Sequence, residues 1–434
     1  MLSFLASIVS VALGVTGSGS LHVHSGFSGS TMPIAAASAF VGGLAPLPGG
    51  HLAVFDGSRV VEIDPASNGA VVRVLHTPPT FVFGSFLALD PTASFLVFGE
   101  SSNGTLTRIP LDGSPTSLVA HVSFNYDGVF DASGALYVAH GNPTWTGTDL
   151  VRVDVATGGV QTVATVSGPS GPVAFDSSGT LLYGVNSPFF PAPPGSGSLI
   201  AFTASQLAGA TGSGVLTDGD ALVLVTGLDA IGDLVVDAEG DLIVGDSIHG
   251  TVTAYDATGV VDWVIASPAA ASTSVTYLAF VDDGSSHAAT FDPYQPNGGG
   301  TLALVVSDFA TTNDVVLVHP ERPTFTVAPS NPVPVGSFTV TLEDAPAHGL
   351  AMLFAAAASS SNEAIALVGD VPLFFALLPP TLVHLGVVPL DATGAASLPA
   401  SNPGIGATIA IQAVVFDATL TPRGTSQALD LGLQ

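Results

Sequence analysis

Gly232–Gly259 reads GDLVVDAEGDLIVGDSIHGTVTAYDATG, three short β-strands in a row. Leu234–Val236 is apolar, and Asp237-Ala-Glu-Gly240 is a turn of residues that hydrogen-bond their own backbone or tolerate positive φ. Leu242–Gly245 is a second apolar run, closed by a turn over Asp246–Gly250. Thr251–Asp256 alternates as a third strand, and Asp256–Gly259 turns again.

The same unit recurs through the first three-quarters of the chain. Aligned on the turn before each second strand, the equivalent positions are Gly50, Ala93, Gly134, Gly179, Gly240 and Gly284. Their separations of 43, 41, 45, 61 and 44 residues cluster near one period. A period of about 40–45 residues with several short strands per unit is the signature of propeller blades. One small sheet cannot bury both faces alone, whereas a ring of sheets can. Third strands read at Val60–Ile63, Leu106–Ile109, Leu150–Val153, Leu199–Phe202, Val252–Tyr255 and Leu302–Val306. Fourth strands read at Val71–Leu75, Ser117–His121, Val160–Val166, Ala221–Thr226, Val260–Ile265 and Val315–Val318. The expectation is a six-bladed propeller over 40–319 whose blades are complete without a borrowed strand, with residues 27–39 available to help closure. The long interval falls in block four, where Pro188–Gly195 and Ser205–Asp220 read as surface loops.

Composition agrees with an all-β chain. The 434 residues are 47% hydrophobic and only 9% charged, and polarity is carried by Gly, Ser, Thr, Asn and Asp. Six basic residues, all Arg, stand against 34 acidic ones, a net charge of −28. Such a chain is repelled by phosphate backbones and anionic membrane surfaces, so nucleic acid is excluded as a natural partner. Cations are compatible partners. There is no cysteine, which excludes disulfides, thiolate catalysis and Cys-ligated metal centres.

Residues 1–20, MLSFLASIVSVALGVTGSGS, carry an apolar run from Leu2 to Val15 that is too short to span a bilayer and suits a signal-peptide core. A secreted, cell-surface or periplasmic monomer with no membrane span in the mature chain is expected. Residues 21–39 then form an N-terminal arm. His22 and His24 alternate there, and two imidazoles without a third ligand are weak evidence for metal. At the other end, Pro320-Glu-Arg-Pro323 is a linker, and 324–434 return to strands. Gly336–Leu342 and Thr408–Val415 alternate well, with the length and spacing of an Ig-like β-sandwich.

The repeat blocks resemble NHL-type repeats, whose hallmark is a D-x-x-G turn, an apolar strand and an Asp- or Asn-containing turn. Asp246-Ser-Ile-His-Gly-Thr-Val and Glu100-Ser-Ser-Asn-Gly-Thr-Leu have that shape. The resemblance spans about 280 residues and implies fold more than function. Ile411–Asp417, with the strand that follows it, resembles the closing segment of C-terminal modules in secreted bacterial propeller proteins, which implies packing or attachment.

Candidate chemistry falls on one face. The residues closing the second strands are Asp56, Glu100, His140, Asn186, Asp246 and Asp292. Such an oxygen-rich rim could hold a divalent cation such as calcium; equally, Asp and Asn hold such turns through their own hydrogen bonds. Tyr126 and Asp127, at the start of a first strand, could face the channel, as could Asp233, and Trp145 lies in an adjacent loop. These four are the ligand-binding candidates, for a glycan or protein ligand. The fold also resembles the gluconolactonase-like, metal-dependent lactonases. That resemblance implies a Glu, an Asn and an Asp at the starts of first strands. The matching positions here are Gly171 and Gly232, with no Glu near Leu44–Leu47, and Asp233 is one residue late, hence on the other face of a regular strand. The leading expectation is a non-catalytic exported binding protein. The alternatives are a metal-dependent hydrolase, lactonase or lyase on the propeller face, and a structural surface spacer.

Overall fold

The computed structural model describes residues 21–433, except 24–26, 37–40, 143, 189–192, 269–272, 282–290, 292–299, 309–311, 321–323, 329–330, 333, 344, 346–347, 357–358, 369–370, 378–382, 393, 403–406, 417, 419 and 421. The chain resolves into two compact units. One comprises 1–22, 30–290 and 300–318; the other comprises 23–29, 291–299 and 319–434.

The first unit is a propeller of six antiparallel sheets. Blades 1 and 2 each contain four strands consecutive in sequence: Gly42–Leu47, His51–Phe55, Val60–Asp64 and Ala70–His76, then Gly84–Leu89, Phe95–Glu100, Thr105–Pro110 and Ser117–His121. Blade 3 runs through Asn125–Phe130, Leu136–Gly141, Gly147–Asp154 and Gly159–Ser167. Blade 4 contains Val173–Phe175, Leu181–Val185, Gly197–Phe202 and Leu222–Leu228; blade 5 contains Ile231–Val236, Leu242–Asp246, Val252–Tyr255 and Val261–Pro268. The innermost strands touch in order around a closed ring, from blade 6 back to blade 1.

Burial explains the strand sequences. Second strands are near-continuous apolar runs because both faces are covered by neighbouring blades: Leu52–Phe55, Leu96–Phe98 and Leu136–Ala139 are all buried. The outermost strand Ala70–His76 has one covered neighbour only, and most of it is exposed. Between blades 1 and 2 the core holds Phe55, Leu87, Leu96 and Phe98; between blades 3 and 4 it holds Tyr137, Leu150, Tyr183 and Phe202. At about 25 cal/mol per Å² of apolar area, these inter-blade seams, not the single sheets, hold the ring together.

Blade 6 departs from the expected pattern. Its own strands are Thr273–Val281, Thr301–Asp308 and Thr312–Pro320, and its outermost strand is Phe27–Ala36 from the N-terminal end of the chain. The segments expected as third and fourth strands are therefore second and third. Leu21–Val23 likewise adds a fifth strand to the outer edge of blade 5. The arm expected over 21–39 is in these parts paired sheet. The physical reason is that an outermost strand presents unpaired N–H and C=O groups, which an extended segment can satisfy. The block expected to start the second strand, around Gly284, and the signal over 1–20 lie outside the described residues.

The second correction is in block four. Ala204–Ser213 is an α-helix, begun by a capping box in which Thr203 and Gln206 each bond the other's backbone. The Thr-x-x-Gln spacing was the available signal. Leu216–Thr217 then pairs parallel to the outer strand of blade 3.

The second unit is also antiparallel β. Gly336–Glu343 lies between Thr324–Ala328 and Ala396–Asn402 in one sheet. Leu350–Ala356 lies between Val383–Pro389 and Thr408–Phe416 in another. Gln412 is fully buried and donates from Nε2 to the Ser426 carbonyl at 2.9 Å.

Candidate active site in the propeller channel

Five of the six innermost strands break register at the same place. The shifts fall between Gly42 and Leu44, Gly84 and Phe86, Asn125 and Asp127, Ile231 and Asp233, and Val275 and Tyr277. Each is a β-bulge, an extra residue that re-aims the side chains after it. This corrects the expected orientation of Asp233. Regular alternation would turn it away, but the bulge delivers it to the ring interior, facing the charge of Asp127.

Asp127 and Asp233 hold equivalent places in blades 3 and 5, and both carboxyls are tied the same way. Asp127 accepts from its following backbone N–H, Gly128, at 2.8 Å and from Val173 N–H of blade 4 at 2.8 Å. Asp233 accepts from Leu234 N–H at 2.7 Å and from Leu278 N–H of blade 6 at 2.6 Å. Each carboxyl thus links two neighbouring blades through donors on strand edges that have no further strand to pair with.

Burial outweighs those bonds. It pushes the Asp127 carboxyl up from 3.8 to about 6, against the lowering effect of the Val173 and Gly128 donors. Burial, and then the charge of Asp127, push Asp233 well above its ordinary value too. Two like charges in one water-poor interior cannot both ionise cheaply. The two carboxyls therefore titrate as a pair, and a proton is held between them to higher pH than on an exposed aspartate.

Two tyrosines, Tyr126 and Tyr277, stand on the inner strands, and a third, Tyr183, lies in the seam between blades 3 and 4. The Tyr126 hydroxyl donates to the Gly232 carbonyl at 3.2 Å. Blades 3 and 5 are separated by blade 4, so this bond crosses the lumen. Tyr183 accepts from Gly171 N–H at 3.1 Å and donates to the Pro169 carbonyl at 3.2 Å. Burial raises the pKa values of Tyr126, Tyr183 and Tyr277, so all three stay protonated donors. Tyr126, Asp127 and Tyr277 are deep in the protein yet keep partial accessibility, which places that surface on the channel.

The remaining expected residues are spread around the rim. Asp56 accepts from the N–H groups of Ser58 (2.9 Å) and Arg59 (2.8 Å) and pairs with the Arg59 guanidinium at 3.1 Å. Glu100 is buried and accepts from Asn103 Nδ2 at 3.2 Å. Asn186 clamps blade 5, donating to the Ile231 carbonyl at 3.0 Å and accepting from its N–H at 2.8 Å. His140 stands 4.0 Å from Asp149, with its buried Nδ1 unpartnered. Trp145 is 42% exposed and meets Phe124 edge-on, ring centroids 6.4 Å apart. Asp292 lies outside the described residues.

Among the described residues, Asp246 alone of the rim six belongs to a group with metal-ligand spacing. His249 Nδ1 lies 3.1 Å from Asp229 and 3.2 Å from Asp246. A second group, Asp237, Glu239 and Asp241, has the same spacing on the opposite turns of that blade. Sequence reading missed Asp229; its signal is a carboxylate in the loop entering the strand that pairs with Asp246.

The lactonase-like ligand positions do not fit a channel metal. A Cβ at Gly171 would run into the Gly184 carbonyl, and one at Gly232 into the Val275 carbonyl. Neither position has room for a ligand side chain, so no metal is placed between the inner strands.

No protein-family model matches the chain, and no curated protein does. Solved structures do. Regucalcin, a calcium-binding protein from Agrobacterium tumefaciens, is similar with 18% identity over 70% of this chain and 98% of its own, TM-score 0.49. A gluconolactonase from Xanthomonas campestris gives 19% identity over 71% and 99%, TM-score 0.48. A PQQ-bound aldose sugar dehydrogenase from Streptomyces coelicolor gives 14% over 69% and 99%, TM-score 0.44. The expectation of a non-catalytic binder is corrected accordingly: the chains of like build include enzymes acting on sugars and lactones. At these identities and TM-scores they are neighbours in likeness only, and the six-bladed propeller rests on this chain's own sheets and ring of inner strands.

Proposed function

We propose that the chain is a hydrolase of the propeller channel, acting on small esters of the lactone type. The observation that carries this is the Asp127–Asp233 pair, two inner-strand carboxyls in one water-poor interior that burial raises, so that a single proton held between them splits their roles into acid and base. General acid–base catalysis needs such a split, with pKa values near the working pH. Asp127 would take the proton of an attacking water, and Asp233 would give one to the departing oxygen. Tyr277 would donate a hydrogen bond to the carbonyl oxygen as charge builds there, and Tyr126 would do so only by releasing the Gly232 carbonyl.

The test is hydrolysis of a panel of γ- and δ-lactones and aryl esters by the full chain, with pH profiles. Turnover rising through about pH 6 and lost in both Asp127→Asn and Asp233→Asn supports the reading. Turnover that survives both substitutions sinks it, as does none with any substrate.

A divalent cation belongs to the same proposal as a rim ligand. The all-oxygen group Asp237, Glu239 and Asp241 suits calcium, whereas Asp229, Asp246 and His249 suit a metal that accepts imidazole. Thermal unfolding in chelator, then with calcium, manganese or zinc, distinguishes the two. Residues 1–20 as an export signal, the NHL kinship of the blades and an Ig-like C-terminal module used for packing or attachment complete the proposal. No helix among the described residues is long and apolar enough to cross a membrane.

A further inference from the structure

On the opposite side of the ring, the crevice between blades 2 and 3 opens a cavity of about 390 Å³. It is lined by Phe95, Arg108, Ser133, Arg152, Asp154 and Val155, with the turn residues between them. Two of the chain's six arginines meet there, in a protein of net charge −28. Arg59 and Arg73 are each neutralised by a carboxylate, at 3.1 and 2.6 Å. No carboxylate among the described residues lies within ion-pair distance of Arg108 or Arg152. Arg108 is pre-positioned: its guanidinium carbon sits 4.1 Å from the centre of the Phe95 ring, and Phe95 is itself held edge-on by Phe130. A stacked guanidinium keeps its planar fork of donors for an oxyanion and loses little freedom on binding.

We propose that this crevice binds a monosaccharide-sized organic anion, with its carboxylate or phosphate on Arg108 and Arg152. The Ser133 hydroxyl and the Asp154 carboxylate offer a donor and an acceptor to hydroxyl groups of the same ligand. Asp154 keeps its place by accepting from Ala156 N–H at 2.9 Å and Thr157 N–H at 3.1 Å. The volume falls within the range of small-molecule sites. The rest of the surface repels anions, so saturable anion binding to this chain is itself diagnostic.

Titration calorimetry of the full chain with galacturonate, glucose 6-phosphate and glucose tests the idea. Saturable binding of at least one anion, none of glucose, and about a tenfold or greater loss in Arg108→Ala and Arg152→Ala is expected. Arg108→Lys keeps the charge but not the stacked fork, and weakens binding also. Galacturonate against glucose 6-phosphate separates the carboxylate from the phosphate source. Binding of neither anion overturns the proposal, as does binding that survives both alanine variants or glucose binding equally well. Thermal unfolding of each variant separates lost binding from lost fold. Ester hydrolysis is read independently, so failure here leaves the channel reading untouched.

Discussion

The rim and the lumen of the propeller use the same residue to opposite ends. Rim and turn aspartates such as Asp56 and Asp256 are partly buried, which alone would raise them. Hydrogen bonds from Ser58 and Arg59, and from Thr258, Val260 and Gly259, outweigh burial and lower both. In the lumen, Asp127 and Asp233 also accept two backbone bonds each, but burial wins and both rise. Both water and hydrogen bonds differ: Asp56 accepts five bonds in a partly wetted turn, whereas each lumen carboxyl accepts two in a water-poor interior. An aspartate at a turn is a structural acceptor; the same residue after an inner-strand bulge is the carboxyl we propose as a proton carrier.

The strongest way to break this comparison is substitution in the lumen. Asp127→Asn and Asp233→Asn preserve shape and should each lower turnover about 10²–10⁴-fold, read as kcat/KM on a lactone the wild type accepts. Asp56→Asn should leave turnover unchanged.

Next in size is steric. Gly171→Ala places a methyl group against the Gly184 carbonyl and should destabilise by roughly 1–3 kcal/mol in urea unfolding. A neutral result would mean that the inner strands are less tightly fixed than their contacts imply.

Asp90 sharpens the turn side. It is 5% exposed and accepts from the N–H groups of Thr92 (3.0 Å), Ser94 (2.6 Å) and Phe95 (2.7 Å). Asp90→Ala leaves these donors without their acceptor and should cost roughly 1–3 kcal/mol. Turnover per folded molecule should stay at the wild-type value.

The pH dependence of stability should show both signs. Asp127 is raised, so its favourable contribution is full below its ordinary 3.8 and lost as pH rises through about 6. Asp256 is lowered, so its contribution is present above 3.8 and lost as pH falls further. The wild-type denaturation midpoint should therefore drop between pH 4 and 7 relative to Asp127→Asn. Asp256→Ala should lose stability at pH 7 and converge on wild type in acid. The smallest effect belongs to the exposed rim pair: His249→Ala should change stability by less than about 1 kcal/mol without added metal.

How much of this was legible in the sequence follows from which regularities are local. Blades 1 to 5 were readable because their own four strands follow in order and the turn before the second strand recurs, as D-x-x-G in blades 3 to 5, with only the block-four insertion lengthening the interval. Blade 6 was not, because pairing between Phe27–Ala36 and Thr312–Pro320 leaves no mark at either place. Tyr126 and Asp127 were singled out from their position at a strand start, and the structure sets both on the innermost strand of blade 3. Strict alternation turned Asp233 away although it stood among the ligand-binding candidates, because alternation assumes regular register and one bulged residue inverts it. The Arg108 crevice left no motif: two arginines 44 positions apart meet only when neighbouring blades pack.

The borrowed outer strand of blade 6 also orders events in time. Phe27–Ala36 leaves the ribosome before any of blades 1 to 5, while its partner strand Thr312–Pro320 is made after all of them. At ordinary synthesis rates that interval is on the order of tens of seconds. The early strand must wait unpaired while blades 1 to 5 form beside it. Ring closure is then the slow, non-local step of folding, and a chain cut before residue 312 would hold five blades and an open edge.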